Sequence, residues 1–315
     1  MTVGDLGEFG VVNRIAGRLP QGEGVMLGPG DDAAVVAAPD GRVVVSTDLL
    51  VERRHFRLDW SGGYDVGRKA AAQNLADVAA MGAVPTSIVV GLGIPAELPV
   101  AWLDALTDGF REECAEVGAS VVGGDITRSD LVVIGVTALG DLGGRAPVKR
   151  SGARPGQVVA VAGRLGHAAA GWALLEAGAV IGSAALEEAV AAHRRPSPPY
   201  QEGPRAAGLG ASAMLDVSDG LVQDLGHVAA ASGVRVELDP EAFTVGEPVA
   251  AAAKELGSDP LEWVLTGGED HALAAVFPSD VRLPSSWQVV GRVVEGEGVL
   301  VYGREMGRGG WDHFR

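Results

Sequence analysis

Residues 65–94, DVGRKAAAQNLADVAAMGAVPTSIVVGLGI, decide the fold class of this chain. Apolar side chains recur with a helical period over residues 65–81, on a stripe formed by Ala71, Leu75, Val78 and Ala79. Pro85 ends the helical pattern, and the apolar run 87–94 that follows is typical of a strand. A long helix followed at once by a strand predicts a fold that mixes helices and strands.

The same mixture extends from this stretch toward both termini. Strands are predicted at 33–38 and 42–46, joined by a Pro-Asp-Gly turn, and helices at 9–19 and 102–117. Further strands are predicted at 120–122, 131–139, 158–162, 235–238, 272–277, 288–294 and 299–302, and further helices at 168–177, 220–231 and 248–256. Because no regular βαβ repeat appears, this order predicts two α+β domains rather than one doubly wound sheet.

A boundary between the two domains is predicted near the middle of the chain. Residues 150–157, RSGARPGQ, have the Gly and Pro content of a linker. The sequence therefore predicts an N-terminal domain of residues 1–149 and a C-terminal domain of residues 150–315. A chain of 315 residues is long enough for each domain to bury its own core.

The charge composition restricts the classes of partner. Lys and Arg number 25 against 41 Asp and Glu, which gives a formal net charge of −16. Nucleic acids are held by basic surfaces, so no nucleic-acid partner is expected. An acidic protein holds a polyanion only when cations lie between the two, and this favours metal bridges to any phosphorylated substrate.

Cysteine usage and hydropathy indicate a cytoplasmic protein without a membrane segment. Cys114 is the only cysteine, so no intramolecular disulfide is possible, in agreement with a reducing compartment. The N-terminus lacks the basic and apolar regions of a signal peptide, and apolar stretches such as 131–139 are too short to span a bilayer. Cys114 lies on the apolar face of the predicted helix 102–117, which favours a core position over a nucleophile.

The sequence has several acidic motifs but none of the common nucleotide-binding signatures. The sequence has no GxxxxGK[ST] loop, no complete GxGxxG and no HRD or DFG set. Instead, acidic residues follow apolar strands or lie in loops of small residues. These motifs are GPGDD (28–32), STD (46–48), NLAD (74–77), GGD (123–125), DVSDG (216–220) and GGED (267–270).

These motifs share one chemical logic. Glycines let the backbone approach a ligand, and carboxylates at strand ends point into the crevice where ligands bind. Two carboxylates about 4 Å apart repel by roughly 4 kcal/mol at an effective dielectric constant of about 20, so a cluster requires cations. Mg²⁺ prefers oxygen ligands and bridges to phosphates. The sequence therefore predicts aspartates from both halves of the chain that hold Mg²⁺ against the phosphates of a substrate.

Each motif alone also has a structural interpretation. Asp31 and Asp32 are typical turn residues, and Asp216 and Ser218 are typical helix N-caps. Asp77 would ordinarily be a solvated helix position. Three consecutive oxygen-bearing side chains at residues 46–48 are harder to explain structurally, and the occurrence of six such motifs together favours a metal site.

Longer segments around these motifs resemble the thiamine-monophosphate kinase family. They are GPGDDAAVV (28–36), STDLLVERRHF (46–56), NLADVAAMGA (74–83), GGDITRSD (123–130), RSGARPG (150–156), DVSDGLVQDLGH (216–227), GGEDHAL (267–273) and GWDHF (310–314). The resemblance covers nearly the whole chain in the family's order. The family belongs to a superfamily with aminoimidazole ribonucleotide synthetase and selenophosphate synthetase.

The resemblance implies ATP-dependent phosphorylation of thiamine monophosphate to thiamine diphosphate, by direct in-line transfer assisted by several Mg²⁺ ions. It implies two mixed domains of the aminoimidazole ribonucleotide synthetase-like type and a homodimer whose N-terminal sheets pair into a barrel. The N-terminal domain would bind metal and ATP and form the dimer. The C-terminal domain would complete the nucleotide and substrate site.

Motif matching also implies a role for individual residues. The implied metal ligands are Asp32, Ser46, Thr47, Asp48, Asp77, Asp125, Asp216 and Asp219, of which Asp48, Asp77 and Asp125 would serve catalysis. The implied ATP contacts are Gly124, Asp125, Arg150 and Ser218. The implied contacts to thiamine monophosphate are His55, Glu269 and Trp311.

Two other functions are compatible with parts of the pattern. One is an ATP-dependent synthetase of the same superfamily, although a selenophosphate synthetase normally carries a reactive cysteine near its N-terminal Gly-rich loop. The only cysteine here is Cys114, which counts against that branch. The other is a non-catalytic Mg–nucleotide sensor, against which the complete set of carboxylates argues.

Overall fold

A computed structural model describes residues 1–29 and 33–305 of the chain. The chain divides into two compact units, one formed by residues 1–78 and 83–144 and the other by residues 79–82 and 145–315. Each unit has its own sheet and its own helices, which confirms the predicted α+β fold class. The structure thus divides the chain at 144/145, where the sequence pattern suggested 149/150.

The first unit is built on a four-stranded sheet with helices on one face. Its elements are α1 (Val3–Ala16), β1 (Val25–Leu27), β2 (Val35–Val36), β3 (Val44–Val51), α2 (Gly63–Ala80), β4 (Val84–Ile94), α3 (Val100–Val117), β5 (Ser120–Arg128) and β6 (Val133–Asp141). The strand order is β3-β6-β4-β5, in which only β4 and β5 are parallel. Strands β3 and β5 are therefore the two edges of this sheet.

The helix predicted at 65–81 is confirmed as α2, and its apolar stripe is completely buried. The two strands predicted at 33–38 and 42–46 do not pair with each other. Instead, β2 pairs with β1, while β3 pairs with β6 along its whole length, from Val44 opposite Gly140 to Val51 opposite Val133. An eight-residue ladder satisfies more backbone groups than a short hairpin would, so the distant partner is preferred.

The second unit contains a seven-stranded sheet. Its elements are β7 (Val158–Ala162), α4 (His167–Glu176), α5 (Ala184–Arg194), α6 (Glu202–Gly208), β8 (Ala213–Val217), α7 (Leu221–Ser232), β9 (Arg235–Leu238), α8 (Glu247–Leu256), α9 (Pro260–Thr266), β10 (Ala272–Phe277), β11 (Trp287–Val294), β12 (Gly298–Val301) and β13 (Arg304–Glu305). The strand order is β13-β12-β9-β11-β7-β10-β8. Strands β7, β9 and β10 begin and end at the residues that their apolar runs predicted.

Strand β8 is an element that the sequence pattern did not predict. Its five residues, AMLDV, are all buried, and β8 forms the edge of the sheet beside β10. A short strand buried on both faces has no alternation of polar and apolar residues, so periodicity alone does not reveal it. Asp216 is part of this strand, which makes it a buried acidic residue rather than a loop residue.

Helices α2 and α3 of the first unit cross with their backbones in close contact. A Cβ atom on Gly67 would overlap the carbonyl oxygen of Leu106, and one on Gly109 would overlap that of Tyr64. Gly63 meets the carbonyl oxygen of Trp102 in the same way. Side chains at these three positions would separate the two helices, so the glycines determine how deeply α2 lies against the rest of the unit.

Residues 1–29 and 33–305 include no helix that is both long and apolar enough to cross a membrane. This agrees with the absence of a long apolar run in the sequence.

We predict that Gly67→Ala lowers the free energy of unfolding by about 3 kcal/mol, because overpacking a close contact forces the backbones apart. Urea denaturation followed by circular dichroism measures the effect. Gly226→Ala is the matched control, since a Cβ at that helical position meets no atom within 4 Å. The control should raise stability by about 0.5–1 kcal/mol through helix propensity. Equal effects of the two substitutions would contradict the close-packing interpretation.

Candidate active site

Strand β3 and helix α2 bring three of the predicted metal ligands to one face of the first unit. Ser46 and Asp48 are two residues apart on β3 and therefore share a face. The Ser46 hydroxyl donates a hydrogen bond of 2.6 Å to Asp77 Oδ2 on α2. The backbone N–H of Asp48 donates to Asn74 Oδ1 at 3.0 Å. The polar groups of Ser46, Asp48 and Asp77 are thus gathered along one strand–helix contact.

Asn74 is a residue of this site that sequence reasoning did not assign. It is fully buried, and its amide nitrogen also donates to the carbonyl of Ala70 at 2.9 Å. Both ends of the amide are therefore engaged, which fixes the side chain between β3 and α2. The signal in the sequence was an asparagine among alanines on the helix face that the hydrophobic stripe identifies as buried.

Thr47 points to the opposite face of the sheet. Its hydroxyl donates to the carbonyl of Val136 at 2.9 Å and accepts from the hydroxyl of Thr137 at 3.1 Å, both on β6. The alternation of side chains along β3 makes this unavoidable for a residue between Ser46 and Asp48. The Thr47 side chain therefore does not join those of its two neighbours.

Gly124 and Asp125 lie on the other edge strand of the sheet, β5. Asp125 is opposite Gly91 on β4, Gly91 is opposite Gly135 on β6, and Gly135 is opposite the exposed Leu49 on β3. This row belongs to the face of Thr47. With about 4.8 Å between neighbouring strands, Asp125 is separated from β3 by roughly 14 Å. The structure of one chain does not bring Asp125 to Asp48.

The loop that carries His55 is held by several hydrogen bonds. His55 Nδ1 accepts from the N–H of Val51 at 2.9 Å, so the ring proton of the neutral imidazole lies on Nε2. The Nζ of Lys69, which is buried in α2, donates to the carbonyl of His55 at 3.0 Å. Glu52 accepts from the N–H of Val132 at 3.0 Å. The predicted substrate residue is therefore presented by an ordered loop.

In the second unit, Asp216 forms a buried pair with a histidine. Its Oδ2 lies 3.0 Å from Nδ1 of His271, and both side chains are almost completely buried. His271 directly follows the predicted GGED motif but had no assigned role in the sequence analysis. Its backbone N–H also donates to the carbonyl of Val217 at 3.0 Å, which ties residues 267–271 to the end of β8.

The loop after β8 presents Ser218 and Asp219, and a further carboxylate organises it. Asp224 Oδ2 accepts hydrogen bonds from the backbone N–H groups of Ser218, Asp219 and Gly220 at 3.0, 3.0 and 3.1 Å. Burial raises the pKa of Asp224 to about 7, and the charges of Asp216 and Asp219 act in the same direction against these hydrogen bonds. The charges of Asp216 and Asp219 therefore both disfavour the ionised form of Asp224.

The GGED segment turns sharply so that consecutive side chains reach different neighbours. Glu269 has φ +66° and His271 has φ +52°, which is the left-handed backbone region that residues other than glycine rarely adopt. Glu269 Oε2 lies 3.3 Å from Nδ1 of the buried His193 on α5. Asp270 accepts from the N–H of Ala168 at the start of α4, at 2.9 Å, and burial raises its pKa to about 7. Such strain at a predicted site is typical of functional segments.

The remaining predicted residues are exposed or lie outside the described ranges. Arg150 is exposed in the second unit, and its carbonyl accepts from the Ser232 hydroxyl at 3.2 Å. Asp32 and Trp311 lie outside the described residues. Over 1–29 and 33–305, no three His, Cys, Asp or Glu side chains are grouped as a metal-holding set.

Comparisons with known proteins show which family this chain belongs to. The family model "AIR synthase related protein, N-terminal domain" matches residues 30–142. A thiamine-monophosphate kinase of Mycobacterium tuberculosis is 53% identical over 319 residues, which cover 99% of this chain and 93% of the relative. The chain belongs to the thiamine-monophosphate kinase family. The family expected from the motifs is thus confirmed.

More distant members of the thiamine-monophosphate kinase family support the same conclusion. The Aquifex aeolicus relative is 33% identical over 315 residues, with complete coverage of both chains. A solved structure described as AaThiL complexed with AMPPCP and TMP is 32% identical, with a TM-score of 0.83. That match covers 100% of this chain and 99% of the other. This chain therefore has the fold of an enzyme family, and a solved structure of one relative contains AMPPCP and TMP together.

Cys114 lies in the core of the first unit, as the sequence pattern predicted. The side chain is buried on α3, and burial, together with the charge of Glu113, raises the pKa of its thiol to about 12. A thiol of this kind is neither accessible nor ionised near neutral pH.

We predict that native protein does not react with iodoacetamide at pH 8 over an hour, whereas protein unfolded in urea is alkylated completely at Cys114. Mass spectrometry measures the labelled fraction. Rapid labelling of the folded protein would show that this part of α3 is accessible.

Proposed function

We propose that this protein transfers the γ-phosphoryl group of ATP to thiamine monophosphate, with thiamine diphosphate and ADP as products. The observation that carries the proposal is the 53% identity, over 99% of the chain, to a thiamine-monophosphate kinase. The match to a structure that contains AMPPCP and TMP supports the choice of both substrates.

The oxygen-rich donor sets of the two units fit Mg²⁺. In the first unit, Ser46, Asp48 and Asp77 offer hydroxyl and carboxylate oxygens, and Asp32 is an additional candidate from the sequence. In the second unit, Asp216 and Asp219 lie near Asp224, and their charges raise its pKa. Bound Mg²⁺ would relieve this repulsion and neutralise the charge of the phosphates. The oxygens are of the type that Mg²⁺ prefers.

The protein groups hold and orient the reactants. Asn74 fixes the backbone at Asp48, and Ser46 fixes the carboxylate of Asp77, so metal ligands on β3 and α2 keep a constant spacing. The acceptor is a phosphate that is already ionised near neutral pH, so in-line attack requires no general base. Positioning and charge neutralisation dominate phosphoryl transfer, and no phosphoenzyme is required.

Ligand contacts are proposed for the residues that the motifs single out. Gly124, Asp125, Arg150 and Ser218 would contact ATP. His55, Glu269 and Trp311 would contact thiamine monophosphate. His55 is presented with a proton on Nε2, and Glu269 lies beside His193, so both are held by neighbouring groups.

We also propose that the first unit forms a homodimer through the open face and the edges of its sheet. The face opposite the helices exposes apolar side chains, including Val45, Leu49 and Val89 at 60, 59 and 37%. An open sheet face with several exposed apolar side chains marks an interface, and closing two sheets into one barrel removes their edges. An isolated four-stranded sheet would leave both β3 and β5 open.

Dimerisation offers Asp125 a route to the β3 ligands. Asp125 lies on edge strand β5, roughly 14 Å from edge strand β3 of the same chain. If β3 of one protomer pairs with β5 of the other, Asp125 of the partner subunit lies one strand spacing from β3, about 4.8 Å, instead of three. Pairing of β5 with β5 would instead set two like charges together. The proposed site therefore uses residues of both subunits.

We predict that purified protein with ATP, Mg²⁺ and thiamine monophosphate forms thiamine diphosphate, which chromatography detects. Asp48→Ala should lower kcat/KM by about 10²–10³-fold, because metal stabilisation of the transition state is worth several kcal/mol. Glu116→Ala, which removes an exposed carboxylate from α3, is the control and should retain activity. No product at saturating substrates would refute the proposed function.

We predict that Asp48→Asn and Asp125→Asn homodimers are each inactive but that mixing them restores activity. Random exchange makes half of the dimers mixed, and each mixed dimer has one intact site, so about one quarter of wild-type activity should return. The measurement is kinase activity after partial unfolding and joint refolding. Continued inactivity of mixed dimers, verified by differential tags, would show that Asp48 and Asp125 act from the same chain.

A further inference from the structure

The carboxylate of Asp224 makes an unusual set of contacts in the second unit. One oxygen, Oδ2, accepts from three consecutive backbone N–H groups at 3.0 to 3.1 Å, and only 4% of the residue is exposed. Successive N–H groups that converge in this way form a concavity that binds anions. Here the anion is supplied by the chain itself, four residues after the last donor, Gly220.

Burying the Asp224 carboxylate costs free energy, and a need to hold the loop in one conformation would explain that cost. A carboxylate with 4% exposure has lost most of its hydration. A neutral apolar side chain would avoid that cost, but it would leave three buried or half-buried N–H groups without their acceptor. The carboxylate therefore stabilises one specific path of residues 218–220.

Other contacts leave this loop little freedom. Gly220 has φ +127°, and a Cβ there would overlap the carbonyl oxygen of Thr266. A Cβ on Gly268 would overlap the carbonyl oxygen of Ser218, which also accepts from the N–H of Glu269 at 2.8 Å. With the N–H groups directed inward to Asp224, the half-buried side chains of Ser218 and Asp219 keep a fixed presentation.

We propose that Asp224 is a positioning residue for the nucleotide-binding loop. Asp224 does not itself contact a reacting group. It holds residues 218–220, the nucleotide-binding loop, so that the Ser218 hydroxyl and the Asp219 carboxylate contact the Mg–nucleotide. The inference rests on the proposed function for the roles of Ser218 and Asp219. A role in stability alone would predict that nucleotide affinity does not depend on the Asp224 side chain.

The test compares Asp224→Ala and Asp224→Asn with Asp239→Ala in the full-length protein. Asp239 is an exposed carboxylate of the same unit that accepts one backbone N–H, that of Glu241, at 3.0 Å. Isothermal calorimetry measures the Kd of Mg–ADP, steady-state kinetics measures KM for each substrate, and hydrogen exchange reports on the amides of residues 218–220.

Asp224→Ala should raise the Kd of Mg–ADP by about 10–100-fold, the usual effect of losing an outer-sphere partner, and speed exchange of the three amides. Its KM for thiamine monophosphate should change less than about twofold, a split that general destabilisation does not produce. Asp224→Asn, whose amide oxygen can accept the same N–H groups, should lie between Asp224→Ala and wild type in both Kd and exchange rate. Asp239→Ala should keep the wild-type Kd.

Faster exchange at residues 218–220 with an unchanged Kd for Mg–ADP would overturn the inference. If Asp224→Ala does not fold, Asp224→Asn decides the question by the same pair of measurements. Wild-type protein that binds Mg–ADP but does not phosphorylate thiamine monophosphate would refute the proposed function and leave this inference standing on the affinity data.

Discussion

The close crossing of α2 over α3 is the constraint on which the site of the first unit depends. Because Gly63, Gly67 and Gly109 have no side chains, the backbones of α2 and α3 come into close contact. In this position of α2, Asn74 accepts from the backbone N–H of Asp48, and Asp77 accepts from the hydroxyl of Ser46. Glycine weakens a helix in isolation, so its use here indicates that the position of α2 matters more than its intrinsic stability.

The second unit holds its acidic residues by a different device. Asp216, Asp224 and Asp270 are all buried, and their contacts are a histidine ring, a loop of N–H groups and the start of α4. These partners orient a carboxylate while providing less compensation than a fixed Arg or Lys would. The raised pKa values of Asp224 and Asp270 reflect that incomplete compensation. A chain of net charge −16 that concentrates carboxylates in this way has a physical reason to recruit divalent cations.

Several elements could be predicted because their signal is local. The stripe of α2 and the apolar runs of β7, β9 and β10 depend on residues within one segment, and the structure reproduces them. Strand β8 and helix α9 escaped prediction, because the first is buried on both faces and the second, with seven residues, is too short to show a helical period. The partner of β3 could not be predicted, since the choice between a nearby hairpin and β6 depends on a ladder formed with residues about ninety positions away.

For the site, the sequence by itself determined which oxygen-bearing side chains are available and that their motifs occur in the order typical of the family. The shared face of Ser46 and Asp48 follows from strand periodicity once β3 is known to continue to Val51, five residues beyond the predicted end. Only the tertiary structure decided that Asn74 supports Asp48, that His271 pairs with Asp216, that Asp224 holds the preceding loop, residues 218–220, and that Asp125 lies on the far edge of the sheet. Each of these depends on backbone paths and strand order, which arise from packing the whole unit and leave no fixed spacing in the sequence.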